Sequence, residues 1–246
     1  MRTRPALVHL ALSAALTLAT PAFAAERAPV VVELFTSEGC SSCPPADAYL
    51  GELAKRLDVL ALSFHVDYWN RLGWTDPFSS PEATARQKGY AQSLKQSYVY
   101  TPEMVVDGRA HEAGSRREKM ETLIEAARGQ AVFAVALVRK PDGGIEATLP
   151  ATGGATTEAS VWLFLFDRSQ TVAVKSGENG GRTITHTNVV REIRRVGAWN
   201  GQAGRLALPL NAAGSRGRGG AAVIVQAGSY GAVLGAGVIA LDGPGT

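Results

Sequence analysis

Residues 30–47 read VVVELFTSEGCSSCPPAD, and the fold turns on them. Val30 to Phe35 is a short apolar run bounded by turn residues, which predicts a buried strand. Pro45 to Leu57 follows, with Ala46, Tyr49, Leu50, Leu53, Ala54 and Leu57 on one helical stripe. Between the two lies Cys40-Ser41-Ser42-Cys43. A C-x-x-C at a strand-to-helix junction reads as a redox motif. Two intervening residues let the sulfurs reach bonding distance across the first helical turn, where free N–H groups and the helix dipole favour a thiolate. Two plainer readings stand beside it. A purely structural bond would close too short a loop to constrain much unfolded entropy. Half of a metal site would want a second C-x-x-C, and there is none.

Working outward, Val59 to Val66 is a second apolar strand, and residues 67–80 read as a loop carrying Trp69, Trp74, Pro77 and Phe78. Pro81 to Lys95 has good helix formers and a proline suited to a first helical position. Met104 to Val106 is strand-like, Asp107-Gly108 is a hairpin turn, and Ser115 opens a helix with Glu118 as its capping-box partner. That order implies an α/β layer with a partly parallel sheet. From Ala131 onward the helical signal fades. Apolar stretches recur at 132–138, 145–149, 160–166, 171–174, 184–196, 205–210, 221–227 and 232–240, separated by glycine-rich turns. Regular short strands of this kind predict an antiparallel sandwich or barrel, so we place a boundary near Gly129, with domains at 29–130 and 131–243. Gly177 to Arg182 is a hairpin turn rather than a phosphate loop, because no Lys-Ser/Thr follows it.

Composition narrows the function. The chain has 246 residues, 46% hydrophobic and 19% charged, which suits a globular core and excludes a disordered tail. Residues 1–24 begin with Arg2 and Arg4, continue apolar from Ala6 to Thr20 and end in Pro21-Ala22-Phe23-Ala24, the pattern of a secretory signal peptide cut after Ala24. The mature protein is then exported, periplasmic or secreted, with no stable membrane insertion after cleavage, in a compartment where disulfides persist. Removing Arg2 and Arg4 from 25 basic side chains leaves 23 against 22 acidic ones, a balance that gives no argument for nucleic acid. Arg216 to Gly220 accordingly reads as a solvated loop.

Glu33 through Cys43, with Thr101-Pro102 before a strand, resembles the thioredoxin fold. Val32 to Asp47, His65 to Trp69, Tyr100 to Gly108, and Gly177-Glu178-Asn179 through His186 to Arg191 together resemble a family of uncharacterised secreted bacterial proteins with a thioredoxin-like domain. The resemblance implies an α/β thioredoxin-like domain followed by an all-β sandwich-like domain. It implies that Cys40 attacks a substrate disulfide, that Cys43 resolves the mixed disulfide, and that Pro102 is a cis-proline facing the pair. Glu33 falls where thioredoxins bury an acid, so it would accept the Cys43 proton; the alternative is an ordinary strand carboxylate. The sequence departs from the pattern in two places. Gly39, not an aromatic residue, precedes Cys40. Pro44-Pro45 follows Cys43, and proline disfavours a helical conformation in the residue before it.

The expected activity is thiol–disulfide oxidoreduction, with protein thiols or disulfides and a redox partner protein as partners. One alternative is a copper-binding module in which His65, at the end of the second strand beside Asp67, joins Cys40 and Cys43 on Cu(I). Another is a degenerate thioredoxin domain used for protein interaction. His186 and Asn188 read as polar residues fixing a turn or an interdomain contact. Ser37 and Ser41 have no evident His–Asp relay, which argues against a hydrolase.

Overall fold

The computed structural model describes residues 27–130, 132–152, 158–210 and 218–242. The leader, residues 1–24, lies outside these, as do Arg216 and Gly217 of the Arg216 to Gly220 loop. Among the described residues no helix is long and apolar enough to cross a membrane.

Strand β1 (Val30–Thr36) is buried at every position. It pairs in parallel with β2 (Val59–His65), from Val30↔Val59 to Thr36↔His65, and antiparallel with β3 (Glu103–Val106). Its side chains alternate between two faces, as strand geometry requires. Val30, Val32 and Leu34 face helices α1 (Pro44–Leu53) and α3 (Arg117–Arg128), meeting Tyr49, Leu50, Met120 and Ile124. Val31 and Phe35 face the opposite side, with Phe64 and with Tyr90 of helix α2 (Pro81–Ser93). Helix α1 starts at Pro44 and stops at Leu53, short of the expected Leu57, which stands fully exposed. Ser80 caps α2 by accepting from the Ala83 N–H at 3.1 Å. The capping box expected from Ser115 does not form; α3 begins at Arg117 without a side-chain cap.

The second half supplies β5 (Phe133–Ala134), β6 (Ala136–Arg139), β7 (Ile145–Leu149), β8 (Ala159–Ala173), β9 (Thr183–Trp199), β10 (Gly204–Leu208), β11 (Gly220–Ala227) and β12 (Val233–Ala240). With β4 (Ala110–Ala113) they complete a mixed nine-stranded sheet in the order β4-β3-β1-β2-β9-β8-β11-β12-β5, and a separate three-stranded sheet β10-β7-β6. This corrects the expected architecture. The chain is not an α/β thioredoxin-like domain followed by an all-β sandwich-like domain: it is mostly β, with three α-helices among the described residues, and one sheet runs across Gly129. The joint is the parallel contact of β2 with β9 at Ser63↔Val189. One apolar cluster likewise mixes Val31, Phe35, Leu62 and Phe64 with Trp162, Phe164, Ala222 and Ile224. Periodicity within each half predicts strands but does not say which strand edges will meet.

Asp107 and Gly108 turn the chain from β3 into β4 with φ of 47° and 60°, the left-handed pair that an Asp-Gly turn demands. A Cβ at Gly108 would run into the Gly231 carbonyl. Asp107 also stitches strands together. Its Oδ1 accepts from the Val31 N–H at 2.7 Å, its own N–H donates to Val31 O at 2.8 Å, and its carbonyl accepts from the Val233 N–H at 2.8 Å. Oδ2 is buried without a partner, and burial pushes the carboxyl up from 3.8 to about 6. The folded state therefore holds this proton more tightly than the unfolded chain. The stability linked to it is present below pH 3.8 and is lost as pH rises through about 6. Asp107→Asn keeps the acceptor, tolerates positive φ and removes the buried charge. We expect it to stabilise the fold by about 1–2 kcal/mol at pH 7.5 and to give no gain at pH 3.5, where Asp107 is already neutral. Equal urea midpoints for variant and wild type at pH 7.5 would refute this.

Candidate functional site

The cysteine loop leaves β1 at Thr36 and enters α1 at Pro44. It is held by its own backbone: the Cys40 N–H donates to Ser37 O and the Cys43 N–H to Cys40 O, each at 3.1 Å. Cys40 and Cys43 are joined in a disulfide. Both cysteines are buried, at 1% and 0% exposure, whereas Ser41 and Ser42 between them are exposed. Cys43 adopts a helical conformation despite the proline after it. The two prolines do change the chemistry expected of the helix head. They occupy the first two helical positions and carry no N–H, while the Ala46 and Asp47 N–H groups donate to Cys43 O at 2.9 and 3.1 Å. The helix terminus thus offers the sulfurs few free donors.

Gly39 has a steric reason to stand before Cys40: a Cβ there would come within 3.1 Å of the Trp69 Cβ. Trp69 fills that space from the side, and its indole N–H donates to Thr101 Oγ1 at 2.9 Å. The Thr101–Pro102 peptide is cis, and Pro102 is buried at the entry to β3. Its carbonyl accepts from the Gly114 N–H at 3.1 Å. Glu33 is placed elsewhere. Its carboxylate takes Arg86 Nε at 2.5 Å and Nη2 at 2.8 Å, and it accepts from the Tyr90 hydroxyl at 2.5 Å. This is the β1 face opposite α1, so both carboxylate oxygens are engaged away from the helix that carries Cys43.

A different set of ionisable groups surrounds the cysteine loop. Glu38, two residues before Cys40, and Asp47, four residues after Cys43, lie on either side of His186 from β9. Nε2 is 3.4 Å from Glu38 Oε1 and Nδ1 is 3.5 Å from Asp47 Oδ1. These are ion-pair contacts, since neither ring nitrogen meets hydrogen-bond geometry. All three residues are buried. Burial opposes charge on the imidazole, but Asp47 and Glu38 outweigh it and lift His186 from 6.5 to about 9. His65 stacks edge-on against His186, with ring centroids 4.5 Å apart, and its Nδ1 lies 2.7 Å from Asp76 Oδ2. Burial would raise the Asp76 carboxyl, but His65 and the backbone N–H groups of Glu38 and Phe78 hold it below its ordinary value. The Trp74 indole donates to Glu38 Oε2 at 2.6 Å, and Thr36 Oγ1 to Asp47 Oδ2 at 3.2 Å. Cys40 and Cys43 are bonded to each other, and His65 is turned onto Asp76. Among the described residues no group of three or more His, Cys, Asp and Glu side chains could hold a metal ion.

The tip of the β8–β9 hairpin closes over this loop. The Asn179 side-chain amide donates to Glu38 O and to Cys40 O, both at 2.9 Å, and the Ser41 N–H donates to Glu178 Oε2 at 3.2 Å. Behind them Ser176 Oγ donates to Gly73 O at 2.6 Å. Nothing in the motif spacing points to Glu38, Asp47, Asp76 or Asn179, and in the sequence His186 reads only as fixing a turn or an interdomain contact. A signal for His186 does exist. Thr183 and Thr185 are exposed while Ile184 and His186 are buried, so strand alternation puts a histidine where an apolar residue belongs.

The profile of a family described as "Protein of unknown function (DUF1223)" matches residues 31–226. An X-ray crystal structure of a protein from Agrobacterium tumefaciens is similar, with 36% sequence identity and a TM-score of 0.77, over 89% of this chain and 98% of that one. The structure of HBP35 of Porphyromonas gingivalis shares the fold at 17% identity and a TM-score of 0.63, over 87% of this chain and 76% of that one. No curated protein matches.

Proposed function

The chain belongs to the DUF1223 family of proteins of unknown function, and from the chemistry of the site we propose that it is an exported thiol–disulfide oxidoreductase whose working bond is Cys40–Cys43. The observation that carries the reading is a disulfide spanning only Ser41 and Ser42. A bond closing so short a loop adds little as a staple, so its use is as an electron acceptor or donor. In the oxidising direction a substrate thiolate attacks Cys40 Sγ, and Cys43 Sγ leaves as a thiolate. A second substrate thiolate then attacks its own sulfur in the mixed disulfide and releases Cys40 Sγ. Two electrons and two protons pass from a substrate dithiol to the pair, and the substrate gains the disulfide. The cationic His186 offsets part of the charge of Glu38 and Asp47, the two acids that flank the motif, where the prolines leave the helix head poor in donors.

Wild type is expected to oxidise a reduced polypeptide dithiol. Given a disulfide-bonded polypeptide instead, Cys43→Ser is expected to accumulate a mixed disulfide, because the Cys40 thiolate opens the substrate bond, one substrate sulfur leaves as a thiolate, and the resolving thiol is gone. The potential of the pair sets the direction of electron flow. A value near about −120 mV makes it an oxidant and one below about −250 mV a reductant. The burial of both sulfurs favours a second reading, a structural bond. That reading wins if wild type exchanges with no dithiol and its bond resists strong reductants.

A further inference from the structure

We propose that the tip of the β8–β9 hairpin, residues 176–182, selects which thiols reach Cys40–Cys43, with Asn179 as its latch; this rests on the exchange reading above. The cysteines are covered although the serines between them are open to solvent. The covering element comes from the opposite half of the chain. β8 pairs with β11 only as far as Phe166↔Gly220, whereas its pairing with β9 continues out to Ala173↔Thr183. A two-stranded ribbon therefore runs beyond the sheet and ends in the tip. Gly177 and Gly181, at φ of 74° and 84°, make the turn tight. The tip is braced on the neighbouring loop by Ser176 on Gly73 O, and a Cβ at Gly177 would lie 3.2 Å from the Trp74 Cβ.

What the tip binds is backbone. Asn179 Nδ2 donates to Glu38 O and Cys40 O, and Glu178 accepts from the Ser41 N–H. Asn179 is itself fully buried and oriented by Arg182, whose Nη1 donates to Asn179 Oδ1 at 3.2 Å. Two acceptors and one donor around the disulfide are thus held by side chains that stand in for an extended peptide. A polypeptide substrate can replace these bonds with its own N–H and C=O groups as it displaces the tip, in the manner of strand addition. A small thiol cannot, and must wait for the latch to open with the backbone groups left unmade. The substrate class is therefore a thiol carried on an extended polypeptide segment.

Asn179→Asp tests this, because it keeps the shape and the Arg182 contact but removes the donors. The readout is the rate at which the Cys40–Cys43 bond of the full-length mature protein is reduced by dithiothreitol and by a reduced, unfolded polypeptide. We expect the dithiothreitol rate to rise about tenfold, the scale of losing one or two neutral hydrogen bonds, and the polypeptide rate to change by less than about threefold, since that substrate supplies its own bonds. An unchanged dithiothreitol rate, or equal acceleration by both reductants, overturns the proposal. If Asn179→Asp does not fold, the exposed Glu178→Ala carries the same comparison with a smaller gain and the same overturning results. A polypeptide that fails to exchange with wild type, while Asn179→Asp still speeds reduction by dithiothreitol, would defeat the oxidoreductase reading and leave the latch as an access gate without peptide selectivity.

Discussion

Arg86→Ala is expected to cost about 3–5 kcal/mol of folding stability, read as a large fall in the urea midpoint. Arg86 lies on α2 at 1% exposure. Besides its two contacts to Glu33 on β1, its Nη2 donates to the Tyr90 hydroxyl at 3.0 Å and to Gln226 Oε1 of β11 at 2.9 Å. The guanidinium also sits 4.7 Å from the Phe164 ring centroid and 5.4 Å from that of Trp162. One side chain therefore joins a helix, a strand from the first half and a strand from the second. Truncating it leaves the Glu33 carboxylate in an apolar, aromatic surrounding with no cation. The Tyr90 hydroxyl still donates to Glu33, but one neutral donor offsets only part of that loss. The double variant Glu33→Gln with Arg86→Met is expected to recover much of the stability, because the larger penalty comes from stranding one charge rather than from losing the pair. A loss below about 1 kcal/mol for Arg86→Ala, within the range of exposed ion pairs, would show that solvent reaches this network. Unfolding should also remain a single transition, since the two halves share an interior.

That interior was only half legible in the sequence. The strands themselves were readable, because their glycine-rich punctuation and apolar runs are local. The run at 145–149 is β7, 221–227 falls within β11, and 232–240 covers β12. The runs at 160–166 and 171–174 prove to be one strand, β8. Its middle, Asp167 to Gln170, is polar because Asp167 pairs with Arg218 and Arg168 with Asp242, so the strand reads as broken there. Long-range pairing left no local mark at all. Ser63↔Val189 joins segments more than a hundred residues apart through residues that would suit any buried edge. The site divided in the same way. The cysteine spacing announced itself, and the contacts that surround it came from residues 74–76 and 176–186, far along the chain. Glu33, by its position before the motif, allows two readings, a proton acceptor for Cys43 or an ordinary strand carboxylate. Its parity on β1 sends it to the α2 face, whereas α1 covers the even-numbered residues Val30, Val32 and Leu34.

His186→Gln should remove a pH dependence that wild type displays. His186 has a folded-state value of about 9 against 6.5 in the unfolded chain. The folded protein therefore binds this proton more tightly. Its contribution is fully present below pH 6.5 and is lost as pH rises from there through about 9. At about 1.4 kcal/mol for each pH unit of separation, wild type is expected to lose about 3 kcal/mol across that window. The loss is physical rather than formal. Once the imidazole is neutral, Glu38 and Asp47 flank it in the interior with no cation between them, and Asp76 lies nearby on His65. Glutamine cannot supply the charge at any pH, so the variant should be less stable than wild type at pH 6.5, should lack the decline above it, and should meet the wild-type curve near pH 9.5. Adding Glu38→Gln to His186→Gln should restore part of the stability at neutral pH by removing one of the stranded charges. Urea midpoints measured from pH 6 to pH 9.5 decide the matter. Parallel curves for wild type and His186→Gln would mean that His186 is neutral in the folded protein, and the cation that offsets charge beside Cys40–Cys43 would have to be sought elsewhere.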